Sequence, residues 1–324
     1  MGLARSLARP IGLQYVYFKS GGSLPVTTSS QSSVLFLRSA SVGTSNMPNS
    51  WSPYSTSKHY ESHSSTTYEQ AYFYEPGAYQ QHLVNLVRER LEITGDHDET
   101  STDKKNILDI GGGTGNFAQA LVHNLPLFHV KVVDPFLDPT QSVDQSTSKQ
   151  VSFVQAAAEV FVQPPQINNT ASWRSVVDRI LMKEVVHHLE DRARIFQGMY
   201  SDLSRSGSLL IITRPQVNVD YPLWDAARDV WKEHQPSSNE LTGELQQAGF
   251  SDIVETLEPY PCTIPFQRWT DMVRGRFWST FSNFSDEELD AACRHMETEH
   301  KHRIDKDGVI HFEDRLVFLL AKKN

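Results

Sequence analysis

Asp109 stands two residues ahead of a run in which four of five positions are glycine: Gly111, Gly112, Gly113 and Gly115. A backbone without Cβ atoms lets a ligand come close to the main chain, and glycine-rich turns after a strand often cradle phosphate. A dinucleotide fingerprint reads G-x-G-x-x-G/A. Counted from Gly111, the sixth residue is Asn116, so that pattern fails. The spacing that fits is D-x-G-x-G-x-G: Asp109, Gly111, Gly113, Gly115. A carboxylate at the lip of the turn repels a pyrophosphate and favours a ligand carrying positive charge.

S-adenosylmethionine is such a ligand, with one sulfonium and one ammonium. Asp134 closes the next strand, in "VKVVDP". A carboxylate there accepts both ribose hydroxyls, which serves NAD as well as S-adenosylmethionine. Pro135 turns the chain away under the adenine. Farther on, "RILMKEVVHHLED" places His187 and His188 after a fourth strand. His187 is the candidate general base, and Glu184, three residues earlier, is placed to orient its imidazole. The competing reading is local packing or capping. Arg214, just after a fifth strand, and Arg276, in "RGRFWS", suit a bidentate grip on a substrate carboxylate; the bland alternative for each is an ordinary ion pair. His295, His300 and His302 alternate with charges on a solvated stretch and do not read as a metal cluster.

These residues need a scaffold that brings strand ends together. "AYQQHLVNLVRERLEI" sets Leu83, Leu86, Val87 and Leu91 at helical spacing. "ILDI", "FHVKVVD", "VSFVQ", "SVVDRILMK" and "GSLLIIT" read as five buried strands, with helices over "NFAQALVHNL", "HHLEDRARIFQGMYSDL" and "SSNELTGELQQAGF". The last helix carries a capping box, Ser237 and Glu240, and a glycine stop, Gly249. "DIVETLEPY" and "RLVFLLAKK" are strands six and seven. Strands alternating with helices predict an α/β fold, a seven-stranded, mostly parallel, doubly wound Rossmann-like sheet with an antiparallel last strand. Two segments exceed what such a sheet needs, 215–236 and 265–312. Both are rich in aromatics. Ligands of doubly wound sheets bind beyond the carboxyl ends of the strands, so the inserts read as a helical lid, with Trp224 and Trp278 as candidate substrate contacts and core packing as the alternative.

The ordered set "ILDIGGGTGNF", "VKVVDP" and "RILMKEVVHHLED" resembles the class I S-adenosylmethionine-dependent methyltransferases, specifically the small-molecule "type 11" group, over about residues 70–323. The resemblance implies that Asp109, Gly111, Gly113 and Gly115 surround the methionine end of the cofactor and that Asp134 and Pro135 sit at the ribose and adenine. It implies adenine contacts from Ala157, Ala158 and Glu159, in a stretch where the family often has Asp, and a place for Lys183 beside the cofactor. An aromatic from Tyr72, Phe73, Tyr74 or Tyr79 is expected to cover the site. The implied activity is transfer of a methyl group from S-adenosylmethionine to a small molecule.

Composition narrows the acceptor. The net charge is −9, so no positive field steers the chain to nucleic acid or an anionic membrane. The Asn/Asp-Pro-Pro-aromatic motif that base-amine methyltransferases carry after strand four is absent; "KEVVHH" stands there. Two cysteines without CxxC spacing suggest neither a disulfide framework nor zinc. The first acid in the chain is Glu61, and Arg5, Arg9, Lys19 and Arg38 are scattered among serines and threonines. That composition is expected of a transit peptide over residues 1–65, mitochondrial first and plastid second. Met47 offers an internal start for a cytoplasmic form. Two other functions stay open at this point: a non-catalytic assembly module that keeps the cofactor fold, and a nicotinamide dehydrogenase.

Overall fold

The computed structural model describes residues 76–93, 105–137, 149–162 and 176–324. All lie within one unit, Pro48–Asn324. The expected leader, Met47 and the aromatics Tyr72, Phe73 and Tyr74 fall outside the described residues.

Helix α1 (Pro76–Arg90) leads into β1 (Lys105–Ile110), the glycine bend and α2 (Asn116–Val122). Then come β2 (Phe128–Asp134), β3 (Val151–Gln155), the one-turn α3 (Ala158–Phe161) and β4 (Val177–Lys183). A 3-10 turn (Val186–His188), α4 (Arg192–Asp202) and β5 (Leu203–Thr213) follow. The chain ends with α5 (Asp225–His234), α6 (Ser238–Gln247), β6 (Ser251–Pro265), α7 (Phe266–Arg274), α8 (Asp286–Glu299) and β7 (Val309–Lys322).

The strand order is β3-β2-β1-β4-β5-β7-β6. Strands β1 to β5 pair in parallel, while β7 runs antiparallel to both of its neighbours. The antiparallel strand is therefore slotted inside the sheet, and β6 forms the edge. Period-two alternation divides the strand residues between two cores. Ile107, Val130, Leu181, Leu210 and Ile212 face α1, α2 and the inserts. Leu108, Ile110, Met182, Leu209 and Ile211 face α4 and α6 through Phe196, Met199, Leu241 and Leu245.

Local chemistry sets the helix ends. Ser237 and Glu240 form the anticipated capping box, as do Ser285 and Glu288 at α8. Each such cap is worth about 1 kcal/mol. Leu83 and Val87 bury the inner face of α1. From the same helix Arg88 donates to the carbonyls of Ala120, Leu121 and His123, at 3.2, 3.0 and 2.9 Å. A cation on the last carbonyls of α2 also favours that helix's negative end.

Strand β7 pairs with β5 only over Val317–Lys322, yet with β6 as far as Val309. Val309–Leu316 and its β6 partner thus project past the sheet as a two-stranded arm, roughly 25 Å long at about 3.3 Å per residue. Phe266 N–H donates to Gly308 O at 2.9 Å and closes the base of the α7–α8 insert on that arm. Pro259, Pro261 and Pro265 lie on β6, the edge strand, where missing N–H donors are tolerated and discourage further pairing.

Candidate active site

The glycine bend joins β1 to α2. Gly111, Gly113 and Gly115 hold φ of 71°, 55° and 78°, the left-handed region that other residues enter at a cost. Close approach explains the rest. A Cβ on Gly111 would lie 2.4 Å from a Val185 methyl, one on Gly112 2.5 Å from Asp109 Oδ2, and one on Gly115 2.4 Å from the Phe153 ring. Gly113 has open space in that direction.

Asp134 braces the bend. Its Oδ2 accepts from Gly113 N–H at 3.0 Å, and its Oδ1 from Phe136 N–H at 2.8 Å. Burial raises its pKa, and the two backbone N–H groups counter that rise. Each oxygen keeps a lone pair for a further donor such as a ribose hydroxyl. Ala156 N–H donates to Asp134 O at 3.2 Å, which docks the Ala157–Ala158 segment beside the same strand end. Pro135 is exposed there.

Asp109 is the unusual group. It is 2% exposed, and its Oδ1 is buried with no hydrogen-bond partner among the described residues. Burial pushes its pKa up to about 7, with nearby Lys183 opposing and Asp134 adding to the rise. A carboxylate left this way costs about 1–3 kcal/mol or more in an unliganded protein. A cation seated beside it would relieve that cost. Lys183 ends β4 with its Nζ 5.4 Å from the Phe117 ring centroid.

Strand four then delivers two more expected residues. His187 lies in the 3-10 turn against His188, ring centroids 3.9 Å apart, and its Nδ1 is buried with no hydrogen-bond partner among the described residues. Burial, with the neighbouring His234, holds its pKa down at about 4, so the ring is neutral at physiological pH. Glu184 does not contact this imidazole as expected. It makes an ion pair with Arg214, and at φ 61° it occupies a left-handed conformation that costs a non-glycine residue about 1–3 kcal/mol. Its backbone N–H donates to Ile212 O at 2.8 Å and fixes it to β5.

Arg214 has protein partners in place of the expected substrate carboxylate. Besides Glu184 it meets both oxygens of Asp314, at 3.3 and 3.4 Å, and it faces the Tyr221 and Trp278 rings. Asp314 is fully buried and also accepts from the phenols of Tyr221 and Tyr79. Asp314 and Tyr221 escape a motif-based reading, although one signal exists: on β7 the inward positions Ile310, Phe312, Asp314, Leu316 and Phe318 put a single acid on an apolar face. Tyr79 is the one expected covering aromatic that is described; it packs edge-on against Tyr260 and is tied to Asp314.

The remaining candidates are structural in their contacts. Arg276 donates to Phe284 O and pairs with Asp286, at 2.9 and 2.8 Å. Trp224 stacks on Phe281 at 5.9 Å between centroids, and Trp278 is wedged among Tyr221, Trp231, Trp269 and Phe281. The indoles of Trp231 and Trp269 donate to Pro215 O and Pro222 O. The aromatics of the two inserts thus extend the hydrophobic core that also holds Leu181, Leu210 and Ile212 of β4 and β5.

A model of the methyltransferase domain matches residues 79–255, more than half of the chain. The chain belongs to the methyltransferase family. Its sheet and its acid-led glycine bend are those of the class I, S-adenosylmethionine-dependent group of methyltransferases. No curated protein matches the chain in sequence. Among solved structures, the methyltransferase is similar to phosphoethanolamine N-methyltransferase 2 of Haemonchus contortus in complex with S-adenosyl-L-methionine. They share 17% identity over 80% of this chain and 57% of that one, with a TM-score of 0.45. It is also similar to the YcgJ protein of Bacillus subtilis, at 16% identity over 75% of this chain and 99% of that one, with a TM-score of 0.49. The chain spans little more than half of the Haemonchus enzyme. At such distance these likenesses do not bear on the acceptor.

The residues of the methyltransferase fit the cofactor on their own terms. The unpaired, buried Oδ1 of Asp109 suits a cationic amino-acid end, Gly113 leaves open space on the bend, and Asp134 retains acceptor capacity.

Proposed function

We propose that the chain transfers a methyl group from S-adenosylmethionine to a small-molecule acceptor by in-line displacement, beneath the aromatic inserts at 215–236 and 265–312. The observation that carries this reading is the unpartnered buried Oδ1 of Asp109 beside three left-handed glycines. Bound S-adenosylmethionine supplies an already activated methyl, so the chain's task is alignment and exclusion of water. Asp109 and the bend hold the amino-acid end, Asp134 the ribose, Ala157 and Ala158 the adenine side, and Lys183 flanks the site. The dense aromatic packing around Trp278 supports the lid as a water-excluding roof.

His187 is neutral and able to accept a hydrogen bond from an acceptor group, but with its pKa near 4 it is a weak general base. That favours a nucleophile that needs no prior deprotonation. Calorimetric titration with S-adenosylmethionine tests the reading: Asp109→Ala and Asp134→Ala should each weaken binding at least tenfold. Unchanged affinity in the double variant would refute it. We propose further that residues 1–65 direct the protein to mitochondria. Imaging of the tagged full chain against one starting at Met47 checks this, with loss of organelle targeting as the expected result.

A further inference from the structure

The cluster around Arg214, at the end of β5, holds one cation against two carboxylates. Arg214 is the single cation among Glu184, Asp314, Tyr221 and Tyr79 in the described structure, and it serves two carboxylates at once. Asp314 is saturated, accepting from two phenols as well as from the guanidinium, and is fully buried. Glu184 is different: Arg214 is its one charged partner among the described residues, and its side chain remains 22% exposed against 9% for Arg214. Glu184 is therefore the carboxylate of this cluster that a ligand can reach.

Its position matters as much as its charge. Val185, the next residue, is the one that a Cβ on Gly111 would strike, so the Glu184–Val185 segment lies against the bend expected to hold the sulfonium end of the donor. Glu184 itself turns from there toward β5 and Arg214. It stands at the border between the donor side of the sheet, β1 and β4, and the side roofed by the inserts. Its left-handed backbone is held by the bond to Ile212 O and by the Arg214 pair, which is how strained residues persist at working sites.

We propose that Glu184 is the acceptor-contacting residue of this methyltransferase, that Arg214 and Asp314 are the positioning residues that fix it, and that the acceptor is a neutral amine. This rests on the methyl-transfer reading above. The step balances without a base. The amine lone pair forms the N–C bond as the S–C bond breaks, and that bonding pair stays on sulfur as a neutral thioether. The positive charge moves to nitrogen, and the new ammonium then releases one of the protons the amine already carried to solvent. A carboxylate fixed beside the nitrogen stabilises the charge as it develops there. A substrate carboxylate would meet a net negative wall instead, because the guanidinium that would have received it is already committed.

The test uses the full chain with isotope-labelled S-adenosylmethionine and a protein-free small-molecule extract of cells, the labelled product being located by mass spectrometry. The expected result is label on nitrogen, stable to base and retained on a cation exchanger. Glu184→Gln should then lower kcat/KM for that product roughly 100-fold, leave donor affinity within about twofold, and be partly rescued by Glu184→Asp. Label on a carboxyl or hydroxyl oxygen overturns the proposal, as does a Glu184→Gln enzyme with unchanged kcat/KM. Failure of the wild-type chain to bind the donor, or binding without any transfer, overturns the methyl-transfer reading itself and so is distinguishable from a wrong acceptor class.

Discussion

Replacing Asp109 by Asn should unmask a rise of stability with pH that the wild type does not show, because two buried groups near the bend pull in opposite directions. Asp109 has its pKa raised from 3.8 to about 7. Between those values the unfolded chain has lost the proton and the folded chain still holds it, so stability falls as pH rises, by about 1.4 kcal/mol per unit and about 4 kcal/mol in all. His187 has its pKa lowered from 6.5 to about 4. Across that window the unfolded chain takes up a proton that the folded chain refuses, so stability is lost as pH falls, by about 3 kcal/mol in all. In the wild type the two slopes largely cancel from pH 4 to 6.5. Asp109→Asn leaves the histidine alone, and its stability should rise by up to about 3 kcal/mol over that range relative to wild type. His187→Asn leaves the acid alone and should show the opposite trend. At pH 8 the Asp109→Asn substitution removes a cost of about 4 kcal/mol, of which burying an amide takes back about 1–3 kcal/mol, so the variant should be the more stable protein without donor. Urea unfolding by linear extrapolation from pH 4.5 to 8, at constant ionic strength and without donor, measures all three proteins. Parallel pH dependences, or a less stable Asp109→Asn protein at pH 8, would show that neither group titrates as argued. Donor binding by the wild type should also weaken about tenfold per unit below pH 7, since the cation requires the ionised carboxylate.

Other consequences follow from the packing. Gly115→Ala should destabilise by about 2 kcal/mol or more, because left-handed strain and the Phe153 ring both oppose the methyl, whereas Gly113→Ala meets only the strain, about 1–2 kcal/mol; thermal melts of the pair separate the two terms. Asp314→Ala removes the buried acceptor shared by Arg214, Tyr221 and Tyr79, while Arg214 keeps Glu184, and should cost about 1–3 kcal/mol by urea unfolding, with no loss counting against the network. Trp278→Ala should cost about 3–5 kcal/mol; a variant that unfolds like wild type but has an altered KM would make Trp278 a substrate contact and not a core residue.

Much of this architecture is legible in the chain. The run Phe128–Asp134 and the pentapeptide Val151–Gln155 announce their strands by apolar residues between turn signals, and Ser237 with Glu240 marks a helix start. The full length of β6 is not legible, since the reading stops at Tyr260, before Pro261; prolines are tolerated there because that strand lies at the sheet margin. The glycine bend and its two acids are local in sequence, so spacing alone exposes them. The partners of Arg214 are not local: Glu184 and Asp314 lie on either side of it in the chain, and only the order β4-β5-β7 brings the three together. Arginine near a cleft looks the same from sequence whether it awaits an anion or already has one.

The pairing of Pro265 with Val309 makes the intervening helices a self-closed cassette. Both of its chain ends leave the arm side by side, so exchanging the cassette for one of different length alters loop-closure entropy by only about 0.6 kcal/mol per doubling and leaves every sheet register intact. A scaffold wired in this way can trade one cassette for another while the strands β1 to β5 keep their pairing. Chimaeras joined at those two residues test the proposal that the cassette faces the acceptor.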